Sequence, residues 1–66
     1  MPKAAFDELW LIWSVGRNGA LFHGAGFAFD FQEACCEQFG DDHLFNKDAM
    51  TYNGDKLVPC PRKGYR

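Results

Sequence analysis

The apolar residues fall into two pairs of short runs, with a helical pattern between the pairs. The first run, Leu9 to Arg17, is rich in Trp, Ile and Val and is followed by Asn18-Gly19. Asn-Gly between apolar runs is a strong hairpin signal, because both residues tolerate the positive φ of a type I′ turn. The pattern therefore predicts a strand at 9–17, a two-residue turn, and a return strand at 20–27.

The predicted register of this hairpin places large side chains opposite glycines. Such pairs let aromatic rings cover bare backbone, which helps to fix the register. A β-bulge at one of the glycines is the alternative. With Asn18-Gly19 as the loop, the expected opposite pairs are Trp13 with Gly24, Leu11 with Gly26, and Trp10 with Phe27.

The segment from Phe29 to His43 carries the signals of a helix of about ten residues. Asp30 is a suitable N-cap, and Glu33 completes a capping box. Gly40 is placed to end the helix in a left-handed cap. A hydrophobic staple is expected between Phe29 and Ala34. At 100° per residue the apolar face contains Phe31, Ala34, Cys35 and Phe39, Glu33 and Glu37 lie opposite, and Cys36 lies at the boundary.

A second hairpin is predicted over residues 48–58, again around Asn-Gly. Leu44 and Phe45, which precede it, are expected in the core. Pro59 and Pro61 should end the last strand. The expected facing pairs are Met50 with Leu57, Ala49 with Val58, and Thr51 with Lys56.

The predicted element order is β-β-α-β-β, which indicates a small α+β domain. One antiparallel sheet would have the helix packed across one face. Sixty-six residues suffice for a single domain, 1–66, with a core of about 8–60 and a mobile basic tail at 61–66. A chain this short buries only about 60% of its unfolded surface, so the core should be thin.

Composition excludes several classes of protein. Apolar residues make up 47% and aromatic residues 17%, which is too apolar for intrinsic disorder. The run from Leu9 to Val15 is too short for a membrane span, and it follows Asp7 and Glu8, whereas a signal peptide begins with basic residues. Three cysteines without regular spacing form a poor disulfide framework. We therefore expect a cytosolic protein.

The adjacent cysteines, Cys35 and Cys36, invite a metal or redox interpretation. Adjacent helical residues point about 100° apart, so these two cannot readily share a tetrahedral zinc ion, even with His23, His43 or Cys60 as further ligands. Redox motifs use a C-x-x-C spacing at a helix N-terminus, and a Cys-His nucleophile would need an oxyanion loop. Packing is the favoured interpretation, and no metal or cofactor is expected.

Other candidate chemistry is also better explained by structure. The glycines of the segment 23–26 lack the Gly-Lys-Ser/Thr sequence of a phosphate loop. The Asp41-Asp42 pair lacks the remaining oxygen ligands of a calcium loop. His23 is expected to be a cross-strand neighbour of Ser14, without a third catalytic partner. The sequence therefore predicts a protein that is not an enzyme, with no catalytic residues.

Charge is distributed unevenly, although the net charge is only −2. No Lys or Arg lies between Asn18 and Asn46. The simplest interpretation is a solvated surface that keeps the protein soluble. The functional interpretation is a negative patch that docks on a basic, nucleic-acid-binding surface of a protein partner. The five acidic residues of this segment, and the candidate partner contacts, are Asp30, Glu33, Glu37, Asp41 and Asp42.

Two alternatives use other parts of the chain. The basic C-terminal residues, with Tyr65 for base stacking, could bind nucleic acid weakly and in a salt-dependent way. A protein-protein contact could instead form on the sheet face away from the helix, as in an adaptor or a dimer. The protein is expected to be a monomer or a weak homodimer. Trp10, Trp13, Phe22 and Phe27 cannot all lie under one short helix. The candidate nucleic-acid contacts are Lys56, Arg62, Lys63 and Arg66.

In length, acidity and β-β-α-β-β architecture, the chain resembles the small phage-encoded inhibitors called anti-CRISPR proteins. Proteins of that group generally act without catalysis, and many bind a CRISPR effector and block DNA entry. The resemblance implies that the acidic residues from Asp30 to Asp42 are partner contacts, placed where DNA phosphates would lie. The basic tail departs from a pure DNA mimic. The membrane is not an expected partner.

Overall fold

In the computed structural model, which describes residues 7–59, one antiparallel sheet carries one helix across one face. The predicted α+β class is confirmed, with one additional two-residue strand. The spatial order of the strands is β2-β1-β5-β4-β3. The predicted mobility of the tail at 61–66 lies outside the described residues. The elements are β1 (Glu8–Gly16), β2 (Gly19–Ala28), α1 (Phe31–Phe39), β3 (Phe45–Asn46), β4 (Thr51–Tyr52) and β5 (Asp55–Val58).

The register predicted for the first hairpin is wrong by two residues next to the turn and by one residue beyond the bulge. Gly16 pairs with Gly19, so the loop is Arg17-Asn18. Neither loop residue has a positive φ, whereas Gly19 has a φ of 114°. The Asn-Gly pair therefore does not form a type I′ turn here, because that turn needs a positive φ at both residues and only Gly19 has one. Trp13 consequently lies opposite Phe22, Leu11 opposite Ala25, and Trp10 opposite Gly26.

The bulge named as an alternative is present. Ile12 pairs with Gly24, while Trp13 pairs with Phe22, so His23 is the extra residue. Gly24 has a φ of 137°, which glycine adopts without the steric cost of a side chain. The bulge turns the His23 ring toward the helix, where it lies 5.3 Å from the Phe39 ring.

Helix α1 begins as its sequence signals indicate, with one change. The Asp30 carboxylate accepts a 2.8 Å hydrogen bond from the Glu33 N–H, as an N-cap should. The reciprocal bond to Glu33 comes from the Phe29 N–H, at 2.9 Å, one residue before the expected donor. The staple prediction is wrong, because Phe29 stays 56% exposed although Ala34 is buried.

The helix ends at Gly40, as predicted. The Gly40 N–H donates to the Cys36 carbonyl at 2.9 Å, and the Gly40 φ is 57°. Its ψ of −119° lies outside the left-handed helical region, so the predicted left-handed cap is wrong. With the bond from the Asp42 N–H to the Phe39 carbonyl, these angles describe a type II′ turn. This turn reverses the chain and leads it back to the sheet.

The second hairpin turns on Asn53-Gly54, whose φ values of 54° and 87° fit the predicted type I′ turn. Thr51 pairs with Lys56, as expected. The Leu57 N–H donates to the Met50 carbonyl, so those two residues also face each other. The predicted strand is too long, because residues 47–50 form turns and Met50 has a positive φ. Ala49 therefore has no place in the ladder, and Val58 pairs instead with Trp13 of β1.

The core lies between the helix and the sheet and is small. Its buried apolar residues are flanked by half-buried aromatic rings, of which Phe39 and Tyr52 stack at 4.6 Å. Phe45 packs against this core, but Leu44 is 38% exposed, so its core assignment is wrong. The shortest dimension of the molecule is 18 Å, which corresponds to two layers. The buried apolar residues are Ile12, Ala28, Ala34, Cys35 and Leu57.

Candidate protein-binding surfaces

Four of the five predicted acidic contacts lie on the outward side of α1 and its exit turn. Asp30, Glu33 and Glu37 follow one another at helical spacings of three and four residues, and Asp41 follows Gly40. All four are exposed. The buried side of the same helix carries Ala34 and Cys35. We call this row of four carboxylates the acidic side.

Within the acidic side, the carboxylates differ in how firmly they are held. Asp30 and Glu33 each accept a backbone N–H at the helix N-terminus, which restricts their side chains. They also lie where the positive end of the helix dipole favours negative charge. Glu37 and Asp41 lie at the opposite end of the helix, where the dipole disfavours them. Their place in the sequence therefore costs stability, which a contact with a basic partner would offset.

Asp42 does not belong to the acidic side. It is half-buried and turned toward the sheet, where it accepts bonds from the Leu44 N–H at 3.0 Å and the Tyr52 hydroxyl at 2.7 Å. The bond from Leu44, together with that from Tyr52, lowers the pKa of Asp42 below its usual value. The same contact raises the pKa of Tyr52. Asp42 thus joins the helix exit to β4, and its assignment as a partner contact is not supported.

A basic residue lies close to the acidic side. Lys47, Cys36, Asp41 and Asp42 line a shallow hollow of about 400 Å³ beneath the helix exit. Its lining mixes charges, so the negative potential should be weaker here than along Glu33 and Glu37. The Lys47 carbonyl also accepts a 3.3 Å hydrogen bond from Gln32 Nε2, so the backbone of this residue lies against α1.

The cysteines behave as packing residues. Cys35 is fully buried in the core, and burial raises the pKa of its thiol to about 11, with a smaller contribution from Cys36. Such a thiol stays protonated near neutral pH, so it is a poor nucleophile and metal ligand. Cys36 is half-buried at the helix boundary. Across residues 7–59, no group of three or more His, Cys, Asp or Glu side chains could hold a metal ion; Cys60 lies outside that range.

Ser14 and His23 form the contact that most resembles catalytic geometry. His23 Nε2 lies 2.7 Å from Ser14 Oγ, which confirms the predicted cross-strand neighbourhood. Ser14 is only 3% exposed, and the His23 ring lies 4.8 Å from Tyr52 and 5.3 Å from Phe39. A nucleophile needs access to its substrate, whereas this hydroxyl is enclosed. The bond is better explained as mutual satisfaction of two polar groups between the sheet and the helix.

The second candidate surface is the sheet face away from the helix. Cross-strand partners share a face, and here Leu9 pairs with Phe27 and Trp13 with both Phe22 and Val58. Trp13 and Phe22 have ring centroids 5.0 Å apart. Trp10, by contrast, lies on the helix side, 5.9 Å from Phe31. We call the surface formed by Leu9, Leu11, Trp13, Val15, Phe22, Phe27 and Val58 the open face.

The open face is largely exposed to solvent. Leu9 is 55% exposed, Leu11 42%, Phe22 50% and Phe27 64%. The polar Nε1 atom of Trp13 is buried and has no hydrogen-bond partner among the described residues. The expectation that some of the large aromatic residues would remain uncovered is therefore met. The sequence signal for this face is the nearly continuous apolar run of β1, which places apolar side chains on both sides of the strand.

The alternative nucleic-acid contacts are only partly described. Lys56 pairs with Val15 and Thr51, which places it on the same side of the sheet as the open face. It is thus separated from the acidic side by the sheet. Arg62, Lys63 and Arg66 lie outside the described residues.

Within the described residues, no helix has the length and apolar character needed to cross a membrane. No protein-family model, curated protein or solved structure matches this chain. The resemblance to anti-CRISPR proteins stays a prediction.

Proposed function

We propose that the protein is a non-enzymatic, cytosolic binding protein that inhibits a nucleic-acid-handling partner. Its acidic side would occupy a basic surface on a CRISPR effector or other host machinery and thereby block DNA binding. The observation that carries the proposal is the row of four exposed carboxylates on one side of a single helix and its exit turn. No Lys or Arg interrupts it between Asn18 and Asn46.

The geometry of the row suits this role. Residues four apart on a helix are separated by about 6 Å along the axis. That separation is shorter than the screening length of about 8 Å at physiological ionic strength, so the charges act together on an approaching cation. Their attraction for a basic surface would speed association and would weaken as salt is added. The partner is thus a protein surface rich in Arg and Lys, and nucleic acid is its competitor.

The test reverses the charges of the acidic side that accept no hydrogen bond within the described residues. Glu37 and Asp41 accept no side-chain hydrogen bond among the described contacts, and they lie where the helix dipole disfavours acids. The variant Glu37→Lys with Asp41→Lys should therefore fold at least as stably as the parent. It should lose inhibition of DNA binding by a purified CRISPR effector, measured by competition with labelled target DNA across a salt series. If the variant is at least as stable as the parent but inhibits less, the lost inhibition is due to weaker binding and not to unfolding.

A control places one such charge reversal elsewhere. Asp55 is exposed on β5, where its carboxylate lies against Gly16 at the end of β1. Asp55→Lys should retain inhibition, whereas Glu37→Lys alone, with the same charge change, should reduce it. For Glu33 the informative substitution is Glu33→Gln, which removes the charge but can still accept the Phe29 N–H. If the Glu37→Lys/Asp41→Lys variant inhibits as well as the parent, or if the parent displaces no DNA from any effector tested, the proposed mechanism is wrong.

A further inference from the structure

Among residues 7–59, the open face is an apolar surface of the sheet that α1 does not cover. A domain of two layers buries one face of its sheet, and here the other face carries four large side chains that are 42–64% exposed. Two of the four are phenylalanines, at about 150–250 Å² each when fully exposed, and two are smaller leucines, so their exposed fractions together present on the order of 400 Å². Contiguous apolar patches of about that size commonly mark an interface.

The charges at the two ends of the open face have opposite signs. Asp7 lies where β1 begins, next to Leu9, whereas Glu8 pairs with Ala28 on the helix side. Arg17 lies at the opposite end, in the β1–β2 turn, and Lys56 flanks Val15 on β5. Asp55 is directed to the helix side, where its carboxylate lies against Gly16. The open face therefore has an apolar centre, an acidic end and a basic end.

Such a surface is complementary to itself. A two-fold axis that lies between two facing copies and runs perpendicular to β1 would place the acidic end of each copy on the basic end of the other. The two apolar centres would then face each other as in a β-sandwich, about 10 Å apart. With the flanking Trp13, Val15 and Val58, the total buried area would be about 1,000 Å², near the lower limit for a specific interface.

We propose that the open face is the interface of a two-fold homodimer, with the occupant being a second copy of this chain. The dimer would have four layers, with the two sheets inside and the two helices outside. Each acidic side would remain exposed, so the dimer could present two of them to a partner. This inference goes beyond the proposed function and does not depend on it.

The first experiment measures association of the full chain by sedimentation velocity between about 1 µM and about 1 mM, a range that brackets a moderate dimer. Leu11→Arg and Phe27→Lys should each raise the dissociation constant by about tenfold or more, because each places a charge in the apolar centre. The matched control is Leu21→Lys. Leu21 is 62% exposed and lies on the same strand as Phe27, but it pairs with Ser14 on the helix side. It should change the dissociation constant less than about twofold.

The second experiment reverses single charges at the two ends of the open face and leaves its apolar side chains unchanged. Asp7→Lys and Lys56→Glu should each weaken self-association, since like charges would then meet at both ends. A mixture of the two variants should associate more tightly than either alone, because both end contacts are then opposite in sign. This recovery is expected only if the acidic end of one copy contacts the basic end of the other.

Three outcomes would overturn the proposal. One is a protein that stays monomeric throughout the concentration range. Another is a dimer that is indifferent to Leu11→Arg and Phe27→Lys, as expected if copies join through the edge of β2. The third is a mixture of the charge variants that associates no better than its components. None of these results bears on inhibition by the acidic side, so each proposal can fail alone.

Discussion

The two faces of the sheet are made from neighbouring residues of the same strand, yet they have opposite environments. In β1, Ile12 is fully buried under the helix, while Leu11 beside it is 42% exposed on the open face. Both are large aliphatic residues, so hydrophobicity alone does not decide which is covered. The deciding factor is the single short helix, which packs over one side of β1 and β2. A face of a sheet is core only when another layer lies on it.

The largest expected effect contrasts these two neighbours. Ile12→Ala should lower the free energy of unfolding by about 2–5 kcal/mol, because it leaves a cavity among the few residues of the core. In a domain this small, that loss is enough to unfold much of the population at 25 °C. Leu11→Ala should cost about 0.5 kcal/mol or less in the monomer, since the side chain is already partly hydrated. Urea unfolding at about 1 µM protein, below the range in which a moderate dimer forms, measures both.

Equal losses from Ile12→Ala and Leu11→Ala at that concentration would contradict this account of the two faces. A loss for Leu11→Ala that grows with protein concentration would instead agree with it, because dimer formation adds stability by mass action. The concentration series therefore distinguishes burial within one chain from burial between two.

A smaller effect tests how closely the helix approaches the covered side. Gly24 has a φ of 137°, and a Cβ atom there would lie 2.9 Å from Gln38 Nε2. Gln38 uses that amide to bond the His23 carbonyl at 2.9 Å. Gly24→Ala should therefore lower the free energy of unfolding by about 1–2 kcal/mol, through backbone strain and the displaced amide.

Gly26 is the matched control for Gly24. It lies two residues further along β2, and a Cβ atom there would meet nothing within 4 Å. Gly26→Ala should be neutral or stabilise by up to about 1 kcal/mol, because it reduces the conformational freedom of the unfolded chain. Thermal unfolding of the two variants beside the parent gives both values. A cost at Gly26 as large as that at Gly24 would contradict the proposed difference in helix approach.

How far the sequence predicts this fold depends on whether a signal is local. The second Asn-Gly hairpin follows from its dipeptide, with Asn53 and Gly54 both at positive φ. The first does not, although its dipeptide is the same. There the bulge at His23 and the pairing of β1 with β5 fix the register, and the loop shifts to Arg17-Asn18. Tertiary pairing overrides a turn preference of about 1 kcal/mol or less.

The same distinction applies to the candidate site. Asp30, Glu33 and Glu37 share a helix side because helical spacing requires it, so the sequence locates them correctly. Asp42 follows the helix, and its direction depends on a tight turn at Gly40 and on Tyr52, ten residues later. No local pattern specifies that contact. The sequence also predicts an uncovered sheet face and more large aromatic residues than one helix can cover. It does not specify which of them the helix covers, because that depends on long-range packing.

The smallest expected effect concerns Asp42 and the pH dependence of stability. Bonds from the Leu44 N–H and the Tyr52 hydroxyl hold the pKa of Asp42 below its usual value in the folded protein. A carboxyl whose folded pKa lies below its unfolded pKa contributes stability above the unfolded value. That contribution is lost as the pH falls below about 4 toward the folded pKa. Asp42→Asn should therefore reduce the loss of stability in this acidic range, whereas Asp41→Asn, which changes the exposed neighbour, should not reduce it. Urea midpoints measured from pH 2 to pH 7, in steps of about half a unit, test the difference. If the two variants follow the same acidic profile, then Asp42 does not link the helix exit to β4 in the way that its two hydrogen bonds indicate.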